Sequence, residues 1–169
     1  MKIALAADHA GYSYKDRLAE ELAARGHTVF DYGTHGPAAV DYPDYGFAVG
    51  HAVASGLAER GIVVCGSSIG ISIAANKVPG VRCAVAFEPL VTELSRRHND
   101  ANVLALSERI TGWEMIERLV EVFLETPFEG GRHAGRAVKL AYDEAAQAKA
   151  VADVARGTVG GAETPKSPA

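Results

Sequence analysis

A three-layer α/β/α fold, with a doubly wound, Rossmann-like five-stranded parallel sheet between two layers of helices, is predicted by three features of this sequence. Short apolar runs recur without polar alternation, as strands buried on both faces require. Each run leads through a short polar or glycine-containing loop into apolar residues at helical spacing. The length of 169 residues, 48% of them hydrophobic, is enough for one buried core and too short to expect two.

The first strand is "KIALAA" (2–7), followed by the loop "DHAGYS". Ser13 and Asp16 have the spacing of a capping box, and Tyr14, Leu18 and Leu22 form an apolar stripe until Arg25-Gly26 closes the helix. "HTVFDYG" gives the second strand, and a helix led by Pro43 runs to about Gly56. "GIVVC" is the third strand, with a helix from about Gly70. "RCAVAF" then "PLVTELSRRHN", and "NVLAL" then "TGWEMIERLVEVFLE", repeat the unit twice more. An alanine-rich stretch with Lys and Glu/Asp predicts one last helix from Arg132 to about Arg156. A single domain is expected over residues 1–150. The Gly/Pro/Ser-rich tail over 157–169 has no apolar face and is expected to be disordered.

A net charge of -4 and the absence of a basic stripe argue against nucleic acid and for small-molecule or protein partners. No apolar run approaches the roughly 18 residues of a membrane span. "MKIALAADH" runs into charged sequence rather than a signal-peptide core, so a cytoplasmic location is expected. Cys65 and Cys83 show no CxxC or Cys/His ligand spacing, which fits a reducing compartment. "GSSIG" lacks the dinucleotide fingerprint and follows the third strand instead of the first, so it does not read as a dinucleotide site.

In such sheets ligands bind outside the carboxyl ends of the strands, which here carry Asp8-His9, Asp41-Tyr42, Cys65-Gly66-Ser67-Ser68 and the loop with Arg109. Cys65 has two readings. A free cysteine is often a small buried hydrophobe. At a strand end before a helix N-terminus, however, a thiolate gains dipole stabilisation, which predicts a depressed pKa and a usable base. Cys83, inside an apolar strand, reads as core. A cysteine phosphatase needs an arginine six residues on, and that position is Ile71. Arg132 and Arg136 share one helical face in a first turn, where cations oppose the macrodipole; they read as a solvated basic face or as an anion site, with Arg109 and His9 as further donors. The backbone from Gly66 to Gly70 would then be free for a charge that develops during reaction. His98-Asn99 ends the fourth helix, on the far rim of its own sheet unless it serves a neighbouring subunit. His27, His35, His51 and His133 read as structural or solvent-facing.

Five motifs, "AADHAGY", "DYPDYG", "CGSSIGISIAANK", "SRRHNDANVLAL" and "EGGRHAGR", in this order and spacing, closely resemble those of the type B ribose-5-phosphate isomerases over residues 1 to about 140. The resemblance implies interconversion of ribose 5-phosphate and ribulose 5-phosphate without metal or cofactor. It also implies a homodimer with shared active sites, or a tetramer. Carried over by motif, Cys65 is the base that shuttles a proton between C2 and C1, and Ser67 with the following N–H groups stabilises the enediolate. His98 with Asp8 opens the sugar ring, and Tyr42 and Asn99 contact sugar oxygens. His9, Arg109, Arg132 and Arg136 hold the phosphate, some of them from the second chain, while Gly66 and Gly70 belong to the substrate-binding loop. A branch of the family uses a glutamate in the following helix as base; that position is Ile71 here, which leaves Cys65. The chain departs from the pattern at Ser68, where glycine is frequent, and in its extension beyond about 150. Two alternatives stand beside this reading: an isomerase of another aldose phosphate (allose 6-phosphate, galactose 6-phosphate or a tetrose phosphate), and a non-catalytic sugar-phosphate-binding subunit.

Overall fold

The computed structural model describes residues 1–141 and 143–157. Five parallel strands, β1 (Lys2–Ala7), β2 (Thr28–Asp31), β3 (Arg60–Cys65), β4 (Cys83–Val85) and β5 (Val103–Ser107), form one sheet in the order β2-β1-β3-β5-β4. Five helices alternate with them: α1 (Tyr12–Ala24), α2 (Tyr42–Ala54), α3 (Ile69–Asn76), α4 (Pro89–Asn99) and α5 (Trp113–Glu125). The expected three-layer architecture is the one observed.

The strands are continuous apolar runs because both of their faces are covered. Ile3, Leu5, Ala7, Ile62, Val64, Leu104 and Leu106 meet Leu18 and Leu22 of α1 and Ile116, Leu119 and Phe123 of α5 on one side. On the other, Ala4, Ala6, Val63, Cys65, Val103 and Ala105 meet Val49 and Val53 of α2 and Ile71 and Ala75 of α3. Truncating a fully buried side chain such as Leu104 to alanine is worth about 2–5 kcal/mol in such a core. Small side chains on the second face bring α2 and α3 close, and Gly46 has no room for a Cβ, which would sit 2.7 Å from the Ile71 carbonyl oxygen.

Two local expectations are corrected. Ser13 and Asp16 do not form a capping box, because α1 begins at Tyr12 after Gly11 and has no side-chain cap on its N-cap residue. Glu108, just past β5, does that work: its carboxylate accepts from the Ser13 hydroxyl at 2.6 Å and from the Tyr14 amide at 3.2 Å. The single helix expected from Arg132 to Arg156 is a 3-10 turn (Gly131–His133), then α6 (Ala134–Lys139), then α7 (Glu144–Ala155). Asp143 restarts the helix by accepting from the Ala146 amide at 2.8 Å. The tail expected to be disordered lies, from residue 158 on, outside the described residues. Among the described residues no helix is long and apolar enough to cross a membrane.

Candidate active site

Strand order reverses between β1 and β3, and the crevice beyond their carboxyl ends is where such sheets place ligands. Register decides what lies there. Ala7 pairs with Val64, so the next residues, Asp8 and Cys65, leave neighbouring strands side by side. The Cys65 thiol donates to Asp8 Oδ2 at 3.0 Å, while Asp8 Oδ1 accepts from the Ala10 amide at 3.0 Å. Both residues are buried. Burial, then the hydrogen bond and charge of Asp8, push the Cys65 thiol above its ordinary value, with the Ser67 and Gly66 amides pulling the other way. This overturns the expected depression: burial, with the Asp8 carboxylate adding to it, outweighs the backbone amides, and the resting thiol holds its proton.

Pairing of Cys65 with Ser107 sets the opposite wall. The Glu108 amide donates to the Cys65 carbonyl at 3.1 Å and the Arg109 amide to the Gly66 carbonyl at 3.3 Å. Arg109 therefore folds over Gly66, where an added Cβ would lie 3.1 Å from its guanidinium. Ser67 is exposed at the lip. Ser68, the N-cap of α3, adopts a left-handed conformation with φ of 64° and offers no side-chain cap, so the first amides of α3 are left for a ligand. Tyr42, at the start of α2, lays its ring over Gly70, 2.7 Å from where a Cβ would be. His9 Nδ1 accepts from the Val40 amide at 3.2 Å, which leaves its Nε2–H as a donor. Asp8, His9, Cys65, Gly66, Ser67 and Arg109 line a cleft of about 250 Å³.

The remaining predicted residues gather elsewhere. α4 runs back from the carboxyl rim, so His98 and Asn99 lie at the amino rim, just before β5 begins at Val103. Asp100, left-handed with φ of 48°, turns the chain there. It accepts from Arg82 at 2.8 Å and from the buried Arg96 at 2.9 Å. The His98 ring stacks on His133, with centroids 4.2 Å apart and planes inclined by 4°. Glu129 lies 3.9 Å from His98 Nε2 and is held at 3.0 Å by Arg97. Arg132 precedes His133, and Arg136 follows on α6. Among the described residues neither Arg109, Arg132 nor Arg136 has a carboxylate partner within salt-bridge distance. Within one chain, then, Asp8 neighbours Cys65, while His98 neighbours His133 and Glu129.

Sequence analysis read His133 as structural or solvent-facing and did not single out Glu129; the structure buries His133 and places both residues beside His98. His133 sits between two arginines in "GRHAGR", which was the available signal, but its burial is visible only with α4 packed against it.

Comparison with known proteins agrees with this fold. The family described as Ribose/Galactose Isomerase matches residues 3–140. Ribose-5-phosphate isomerase B of Escherichia coli (strain K12) is 45% identical over 135 residues, which are 80% of this chain and 91% of that protein. A D-erythrulose-4-phosphate isomerase of Pectobacterium atrosepticum is 36% identical over 85% of this chain and 95% of its own. The solved structure of Clostridium thermocellum ribose-5-phosphate isomerase B superposes with a TM-score of 0.82 at 51% identity, covering 83% of this chain and 95% of that one. With the matched segment running from β1 to the end of α6, the chain belongs to the ribose/galactose isomerase family and is a sugar-phosphate isomerase.

Proposed function

We propose that this enzyme interconverts D-ribose 5-phosphate and D-ribulose 5-phosphate through an enediolate, with Cys65 as the base. The observation that carries the reading is the buried Cys65–Asp8 contact of 3.0 Å beside uncapped backbone amides at the mouth of a cleft. Asp8 takes the thiol proton when substrate fills the cleft. The Cys65 thiolate removes the proton from C2 of the open-chain aldose. The C–H electron pair becomes the C1–C2 double bond, and the charge on O1 meets Ser67 and the amides that begin α3. Net transfer of the O2 proton to O1 and return of the thiol proton to C1 leave the carbonyl at C2.

The phosphate reading rests on charge. His9 and Arg109 border the cleft, and Arg132 and Arg136 lie with His98 and Asn99 at the other rim. In this proposal two copies pair so that His98, Asn99, Arg132 and Arg136 of one complete the Cys65 cleft of the other, while Tyr42 and Gly70 face the sugar. His98 then opens the furanose ring.

The test is a coupled isomerisation assay on ribose 5-phosphate beside allose 6-phosphate and a tetrose 4-phosphate, for wild type and Cys65→Ser. Preference for ribose 5-phosphate is expected, with turnover falling about 10²–10⁴-fold in the variant while sugar-phosphate binding changes little. Unchanged turnover in Cys65→Ser removes the thiol from the mechanism. Preference for the tetrose phosphate, which the Pectobacterium relative's name makes the specific rival, keeps the mechanism and changes the substrate. Binding without turnover on any sugar makes the chain a binding subunit.

A further inference from the structure

We propose that His133 is a positioning residue: it stays a neutral ring that holds one face of the His98 imidazole and the Arg132 side chain together. The link to ribose 5-phosphate rests on the function proposed above; the neutral state of His133 does not.

His133 is 4% exposed, although the arginines on either side of it, Arg132 and Arg136, are exposed. Its ring lies flat against His98 at 4.2 Å, and two imidazolium ions at that separation would repel strongly. The pair therefore holds one proton far more readily than two. A hydrogen bond keeps His133 neutral. Arg132 Nε donates to His133 Nε2 at 3.2 Å, so that nitrogen is an acceptor and the neutral ring carries its hydrogen on Nδ1. Protonating Nε2 would break this bond and set an N–H against a guanidinium.

The charged groups facing His133 agree. Desolvation, His98 and Arg132 push it below the ordinary imidazole value, with Arg136 of α6 adding to them and Glu129 opposing. Glu129 lies 4.0 Å from His133 Nε2 and 3.9 Å from His98 Nε2, but Arg97 already holds its carboxylate. With Nε committed to His133, the two terminal nitrogens of Arg132 remain to face an oxyanion. The arginine and the His98 ring are thus presented as one unit.

A metal site made of the same three side chains fits less well. Their ligand atoms lie within 4.8 Å of one another, but nearly parallel rings cannot both aim a nitrogen lone pair at one ion. His133 Nε2 is also occupied by Arg132.

The test is a histidine-side-chain NMR titration of the ligand-free full chain, with resonances assigned through His98→Gln and His133→Gln, beside steady-state kinetics on ribose 5-phosphate. In wild type His133 is expected to protonate below the ordinary imidazole range. His133→Gln supplies an acceptor for Arg132 but no ring. It should move the acid limb of the pH–rate profile by about half a unit or more, with KM within about twofold. His133→Phe supplies a ring but no acceptor and should raise KM about tenfold. A His133 that protonates within or above the ordinary imidazole range, or variants that lose thermal stability alone, overturn the proposal. Since the titration needs no substrate, failure of the ribose 5-phosphate reading leaves it intact and readable.

Discussion

At the carboxyl rim Asp8, Cys65 and Gly66 are placed by strand register and backbone, whereas at the amino rim His98 is placed by side chains packed around the end of a helix. The first group has a thiol, a carboxylate and open amides in a cleft, with His9 and one arginine, Arg109, beside it. The second has an imidazole pair and two arginines, with no thiol among them. In the proposed mechanism each rim carries what the other lacks for isomerising a cyclic sugar phosphate. Parallel strands joined by returning helices put the two groups at opposite rims of one sheet, so that mechanism calls on a second copy to bring them together.

The largest effect expected from that comparison is subunit complementation. Cys65→Ala and His98→Ala should each be inactive as purified, and a mixture refolded together should recover about a quarter of wild-type activity. Half the random pairs are mixed, and each mixed pair rebuilds one of its two sites. A mixture as inactive as its components would mean that each chain builds its site from its own residues or that the two groups serve different reactions.

A second expectation separates the rims by chemistry. Ring opening is needed only for a sugar that closes, and a tetrose 4-phosphate cannot close a five-membered ring because its C4 oxygen is esterified. His98→Asn should therefore cost about 100-fold in kcat/KM on ribose 5-phosphate and much less on a tetrose phosphate that the enzyme turns over. Equal losses on both would assign His98 to the proton transfer between carbons, or to binding, rather than to ring opening.

The carboxyl rim was largely legible in the sequence, because strand ends are local features. "KIALAADH" and "GIVVCGSS" show where β1 and β3 stop, and the fold class then puts Asp8 and Cys65 at the same edge. What was not legible was that the two would touch. That depends on the pairing of Ala7 with Val64, and burial together with this contact reverses the expected shift of the thiol. The same physics hid the cap of α1, whose acceptor Glu108 is 95 residues from Ser13. At the amino rim the helical spacing put His98 at a helix end, but its stacking on His133, which comes from beyond α5, depends on tertiary packing. The break between α6 and α7 had a local signal in Asp143, a good N-cap residue, masked by helix-forming composition on both sides.

The smallest expected effect bears on how firmly the backbone sets the carboxyl rim. Ser68 is fully buried and left-handed, a conformation that costs a residue with a Cβ about 1–2 kcal/mol relative to glycine. Its hydroxyl returns only a local hydrogen bond to the Ser67 carbonyl. Ser68→Gly should relieve the strain, offset in part by the greater freedom of the unfolded chain, for a net gain of no more than about 1 kcal/mol or a few degrees in Tm. Ser68→Ala, which keeps the Cβ and loses the hydroxyl, should be slightly less stable than wild type. If register and backbone hold the loop, kcat and KM should change less than twofold in both variants, about the level of a few tenths of a kcal/mol. A large loss of kcat in Ser68→Gly with stability unchanged would show that the loop depends on the side chain to hold its amides toward the cleft. The carboxyl rim would then be built in the same way as the amino rim, by side chains, and the contrast between them would fail.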